Sequence, residues 1–200
     1  MSTSRSTPRL RLTALLLAAT IGLVAISERR LLAGAAGEVA QLAGLACIAA
    51  AALGRVWTSA FIAGFKDSSL VREGPYSALR HPLYALSMLA MLGVGLATRS
   101  VTLTCALLAT FAVTYAAAAR REEAFLSHAH GESHTDFVRH TPAFWPALRS
   151  YRVPESIEVR PRVFWKAFLD AGSMIGLYVL LRLADLAQLT GVTPTLLQLP

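Results

Sequence analysis

The sequence predicts an all-α, polytopic membrane protein of about five transmembrane helices with a helical cap on the cytoplasmic face. Three observations carry this. Hydrophobic residues make up 54% of 200 positions and charged residues 16%, with a mean hydropathy of +0.50, far too apolar for a soluble domain. The apolar residues gather into long runs, and a helix of roughly 20 residues crosses hydrocarbon while satisfying its own backbone hydrogen bonds. The cations collect between the runs.

The first run, about 10–26, follows Arg5, Arg9 and Arg11. With Ala25-Ile26-Ser27 behind it, this stretch also fits a cleavable signal peptide, whose removal leaves the rest of the reading in place. The second run, 39–62, holds Arg55 inside it. The third and fourth, 83–97 and 101–119, are joined by Thr98, Arg99 and Ser100 alone, which predicts a tight antiparallel hairpin with Gly93 and Gly95 permitting close approach. The fourth helix should then leave the membrane, break near Gly131, resume briefly and stop at Thr141-Pro142. Phe125, Leu126, Phe137, Phe144 and Trp145 give this cap an apolar side to lay on the membrane interface. The fifth run, 164–186, contains Asp170, Arg182 and Asp185, expected to pair with one another or to sit near helix ends. No repeat or soluble domain interrupts the chain, so 1–200 reads as a single membrane domain with 160–200 as a C-terminal addition.

Orientation follows from Lys and Arg. With the N-terminus cytoplasmic, the inside segments hold Arg5, Arg9, Arg11, Lys66, Arg72, Arg80, Arg120, Arg121, Arg139, Arg149, Arg152, Arg160, Arg162 and Lys166, against Arg29, Arg30 and Arg99 outside. The expected location is a bacterial inner membrane. The net charge of +7 is thus a topology signal with some attraction to anionic headgroups, and it gives no reason to invoke nucleic acid. Cys47 and Cys105 lie within spans and read as packing residues. Trp57, Trp145 and Trp165 read as an interfacial aromatic belt. His128, His130, His134 and His140 come without companion ligands at fixed spacing, so no metal site is predicted.

The chemistry-bearing feature is the polar loop 68–84, SSLVREGPYSALRHPLY, between two apolar runs. Gly74-Pro75-Tyr76 is a turn signature, and Pro82 suits the first turn of the third helix, where its missing N–H costs nothing. Arg80 and His81 then lie at a helix N-terminus that favours a carboxylate or phosphate, and Tyr84 reaches back from one turn inside. Glu122 and Glu123 emerge from the fourth helix on the same face, an acidic pair opposite a basic loop.

These pieces, in order, are G-P-Y-x-x-x-R-H-P-x-Y, a glutamate pair after the next hairpin, and HGESHTDFVRHTPAFWP. Over roughly 54–146 the chain resembles the isoprenylcysteine carboxyl methyltransferase and phospholipid methyltransferase family of integral membrane enzymes. The resemblance implies S-adenosylmethionine as methyl donor. It places Ser68, Ser69, Leu70, Val71, Tyr76, His81, Pro82, Leu83, Tyr84 and Glu122 around that cofactor. Arg80 or His81 would meet its carboxylate and Glu122 its ammonium or ribose. The implied acceptor is lipid-like or isoprenoid-linked and enters sideways from the bilayer. A carboxylate acceptor, the favoured one, needs no base; an amine does, and Glu123 or a histidine is then the candidate. Departures from the family pattern are Leu86, His134, Phe137, Ala143 and Ala118. Ala118 stands where prenylcysteine enzymes carry an arginine, leaving Arg55, Arg120 and Arg121 as candidate substrate contacts. A membrane reductase of related fold using NADPH and a non-catalytic scaffold protein are the alternatives. The enzymatic reading requires His81 and Glu122 to meet on one side of the membrane.

Overall fold

The computed structural model describes residues 27–29, 34–62, 70–190 and 197–199. The first predicted span, Lys66, Ser68 and Ser69 lie outside the described residues. Short strands β1 (Ser27–Arg29) and β2 (Leu197–Leu199) pair in parallel, a small addition to a fold that is otherwise helical.

Helix α1 (Gly34–Ile62) carries its small residues Gly37, Ala40, Gly44, Ala51 and Ala52 on its buried side, while Leu42 and Leu53 face outward. A one-turn helix, α2 (Pro75–Ala78), precedes α3 (Pro82–Ala97). The chain then turns through Thr98–Ser100 into α4 (Val101–His140), whose first turn is capped by the Ser100 side chain accepting from the Leu103 N–H at 3.3 Å. Helix α5 (Pro161–Leu189) closes the array. Helices α1, α4 and α5 are long and apolar enough to cross a membrane, and α3 is a shorter apolar helix. Large apolar side chains such as Val113, Leu180 and Leu183 stand exposed on their outer faces, as a lipid solvent allows.

Helix α3 is the hub, packing on α1, α4 and α5, while α1 also packs on α5. Ile48, Val94, Ala97, Leu103, Tyr178 and Leu181 form the buried cluster that joins them. Gly95 serves the α3–α4 hairpin as expected, since a Cβ there would lie 2.8 Å from the Thr104 Cα. Gly93 does not. Its added Cβ would meet the Gly44 carbonyl oxygen of α1 at 2.7 Å, so this glycine fits α3 to α1 and not to α4.

The break near Gly131 is present, with φ 51° and ψ −122° inside α4, and the helix ends at Thr141. Beyond it Phe137, expected on the interfacial side, is buried and lies under the Arg72 guanidinium, which also bonds Ser133 and Asp136. Arg182 donates to Gln41 of α1, which accepts from Arg99 of the α3–α4 turn as well, at 2.8 Å. Arg99 in turn pairs with Glu38. The start of α1, the hairpin turn and the last turns of α5 are therefore held together at one end of the bundle.

Candidate active site

At the other end lies the polar loop, and its shape follows from Gly74. Its φ is 58°, a region L side chains avoid, and a Cβ there would fall 2.4 Å from the Phe61 ring of α1. Glycine is required on both counts. The Gly74 N–H donates to the Arg152 carbonyl at 2.7 Å, and Ser77 Oγ donates to the Gly74 carbonyl and accepts from the Arg152 N–H. Further along, the Arg80 N–H donates to the Pro142 carbonyl and the Ala147 N–H to the Ala78 carbonyl, both at 2.9 Å. The segment after α4 is thus a strap that fixes the loop.

Pro82 opens α3, and the His81 carbonyl accepts from the N–H groups of Tyr84 and Ala85. The His81 side chain, 7% exposed, projects from that helix start toward α4. Its Nε2 lies 3.0 Å from Glu123 Oε1, to which Arg80 Nη1 also donates. An ionised carboxylate only accepts, so in the neutral ring the proton sits on Nε2 and Nδ1 carries the free lone pair. That Nδ1 is 4.0 Å from Glu122 Oε2, which accepts from the Tyr84 hydroxyl at 2.7 Å. The His81 and Tyr84 rings stack at 5.5 Å between centroids, and Tyr84 meets Tyr115 edge-on at 4.9 Å.

A cavity of about 360 Å³ opens beside this cluster, lined by Tyr76, Arg80, His81, Pro82, Leu83 and Tyr84 on one side and by Ala118, Arg121, Glu122 and Phe125 of α4 on the other, with Ile62 of α1. The volume is in the range of small-molecule sites. Arg80 Nε is buried and has no hydrogen-bond partner among the described residues. Burial, and then the negative charge of Glu122, hold the Tyr76 hydroxyl proton on far above the ordinary phenol range, so Tyr76 is a hydrogen-bond donor at any physiological pH. A second, apolar cavity of about 190 Å³ lies against His81 and Tyr84 as well, between α3 and α4 under Phe144 of the strap.

The phospholipid methyltransferase family matches residues 39–133, from α1 to just past the Gly131 kink, so the matched stretch contains the loop, the hairpin and both glutamates. The cobalt-zinc-cadmium resistance protein CzcN of Cupriavidus metallidurans is 38% identical over 74% of this chain and 68% of its own length. The chain belongs to the phospholipid methyltransferase family. A second similar protein is the nickel-cobalt-cadmium resistance protein NccN of Alcaligenes xylosoxydans xylosoxydans, 34% identical over 78% of this chain and 73% of its own length. No solved structure matches it.

Within this phospholipid methyltransferase fold the predicted residues separate. Tyr76, Arg80, His81, Pro82, Leu83, Tyr84, Arg121 and Glu122 share the polar cavity, and Glu123 binds the two basic residues at its edge. Leu70 and Val71 are partly buried and do not line either cavity. Nor does Arg120, which turns back to bond the Ala116 carbonyl of its own helix, at 3.2 Å. Arg55 donates to Ser87 Oγ of α3 at 2.9 Å, beside the site and outside its lining. Tyr115 and Phe111 were not singled out from the sequence, yet they stack at 3.8 Å and back Tyr84. Their signal was spacing: Tyr115 stands two helical turns before Glu122 on one face of α4. Among the described residues no three His, Cys, Asp or Glu side chains gather as a metal site.

Proposed function

We propose that this protein is an S-adenosylmethionine-dependent methyltransferase of the inner membrane whose acceptor is a lipid-like or isoprenoid-linked molecule. The observation that carries the reading is the meeting of His81 with Glu122 and Glu123 on the rim of one cavity of about 360 Å³. The donor set fits the cofactor. Its carboxylate calls for a cation, which the Arg80 guanidinium in the cavity wall supplies; its ammonium or ribose calls for an acceptor, which Glu122 supplies; Tyr76 offers a hydroxyl and Tyr84 a ring face to the remainder. When bound, that cofactor supplies an electrophilic methyl group.

The chain's own part is positioning and proton handling. Fixing two reactants in register contributes on the order of 7–11 kcal/mol at best. The strap and α4 supply that rigidity by holding the Arg80–Tyr84 stretch from two sides. For an acceptor that must shed a proton, His81 Nδ1 is the receiving atom, with Glu123 steadying the resulting cation through Nε2. A carboxylate acceptor leaves that function idle. The recessed position of the site suits a bilayer-borne acceptor: α3 has 16 residues, about 24 Å, against ~30 Å of hydrocarbon. Its start therefore lies at the hydrocarbon edge and not in bulk water.

The relatives' names connect them with resistance to cobalt, zinc, cadmium and nickel. We carry that over as cellular setting, with methylation of a membrane component, and not metal ligation, as the contribution of this chain. The test is incubation of membranes overproducing the protein with methyl-labelled S-adenosylmethionine, followed by mass spectrometry of the lipid extract. A labelled lipid-like product, absent with Glu122→Ala, is expected; NADPH titration should be silent. An unlabelled extract together with NADPH binding would replace this reading by the reductase one.

A further inference from the structure

The second cavity is not needed to hold the methyl donor, and its walls differ in kind. It runs between α3 and α4, with Ala85 and Met88 on one side, Phe111, Ala112, Tyr115, Ala116 and Ala119 on the other, and Ala143 and Phe144 of the strap over it. Among the described residues no arginine, lysine or carboxylate lines it. It touches the polar cavity only through His81 and Tyr84, whose stacked rings form the common wall. Resting on the methyltransferase reading, we propose that this cavity is a second binding site, which takes the uncharged apolar body of the acceptor adjoining its methylated atom, and that the body is no larger than one ring or a short branched alkyl stem.

The walls and the volume set this class. A carboxylate or phosphate placed among alanine, phenylalanine and methionine side chains would lose its hydration without gaining a cation, at a cost of several kcal/mol. An uncharged ring or branched stem incurs no such penalty and gains about 25 cal/mol for each Å² it removes from water. As to size, an apolar protein cavity of ~150 Å³ takes up benzene. A space of about 190 Å³ therefore holds one substituted ring or one or two isoprene-like units, and a full acyl chain must run out into the bilayer. Phe111 and Tyr115 stand in the wall as a stacked pair, a rigid surface against which the shape of an occupant is read. His81 at the shared wall sets an occupant of this site next to the atom proposed to receive its proton.

The probe is a hydroxymethyl-substituted phenyl diazirine, applied to the purified full-length protein in nanodiscs and photolysed, with labelled peptides mapped by mass spectrometry. Labelling of the Met88 and Tyr115 peptides that is competed away by excess benzyl alcohol is expected, against uncompeted labelling of lipid-facing α5. Ala116→Phe, which fills the cavity, should reduce the competed fraction at least tenfold, and so should Met88→Trp from the opposite wall. Both variants should keep their calorimetric affinity for S-adenosylmethionine within twofold, which also reports that they fold. Labelling that no competitor removes, or that both variants retain, overturns the proposal. Loss of S-adenosylmethionine binding by the wild type would instead overturn the methyltransferase reading and leave the labelling result to stand by itself.

Discussion

His81 sits where Pro82 begins α3, and each of its ring nitrogens faces a different glutamate. That residue-level arrangement was legible in the sequence because the Arg-His-Pro-x-Tyr string forces a helix start and the glutamate pair has no comparable reason to be adjacent. Which glutamate meets which partner was not legible, since successive residues of a helix diverge by about 100° and small rotations exchange them. The pairing makes separable predictions. Glu122→Ala should weaken S-adenosylmethionine binding ten- to a hundredfold, the loss of a charge-assisted hydrogen bond of about 1.5–3 kcal/mol, read by calorimetry. Glu123→Ala should lower the melting temperature as well, because Arg80 and His81 both lean on that carboxylate. Tyr76 supplies the pH dependence. The native protein keeps a phenol proton that the unfolded chain releases near pH 10, so this residue's contribution is intact below about pH 10 and is lost as pH rises further. Melting curves from about pH 9 to 11 should fall more steeply for wild type than for Tyr76→Phe.

At the scale of elements, the helices 39–62, 83–97 and 164–186 emerge longer or nearly unchanged, as Gly34–Ile62, Pro82–Ala97 and Pro161–Leu189, because hydrophobic runs in a bilayer-sized protein leave the chain few other conformations. Small residues announce a close contact without naming the partner, which is why Gly93 was assigned to α4 when it meets α1. Arg182 shows the same limit for polar residues: one partner, Gln41, lies 141 positions away, beyond any local pattern. Substituting Gly93 by leucine should cost about 1–3 kcal/mol by driving a side chain into the Gly44 backbone, measured as a lower melting temperature in detergent. Gly172→Ala should cost nothing, since no atom of the described residues lies within 4 Å of the added methyl. From the sequence Phe144 and Trp145 belong to a cap on the membrane interface, with no sign that their segment straps the loop. Its bonds to Gly74 and Ala78 are backbone to backbone, so no side chain advertises them.

On the scale of the whole molecule, one end is clamped by Glu38, Gln41, Arg99 and Arg182 and the other carries the loop, the glutamates and the strap. We propose that the clamped end is periplasmic. A single cysteine replacing Arg99 should then react with an impermeant maleimide in intact cells, and one replacing Arg149 should react only after lysis. We propose as the central claim that the short α3 recesses the site, so that a water-soluble donor and a bilayer-borne acceptor approach His81 from different sides. The most direct measurement is photocrosslinking of S-adenosylmethionine to the purified protein followed by peptide mapping. The account predicts label on both the peptide holding Tyr76–Tyr84 and the peptide holding Glu122, suppressed by unlabelled donor; label on neither, or on residues remote from both, would contradict it.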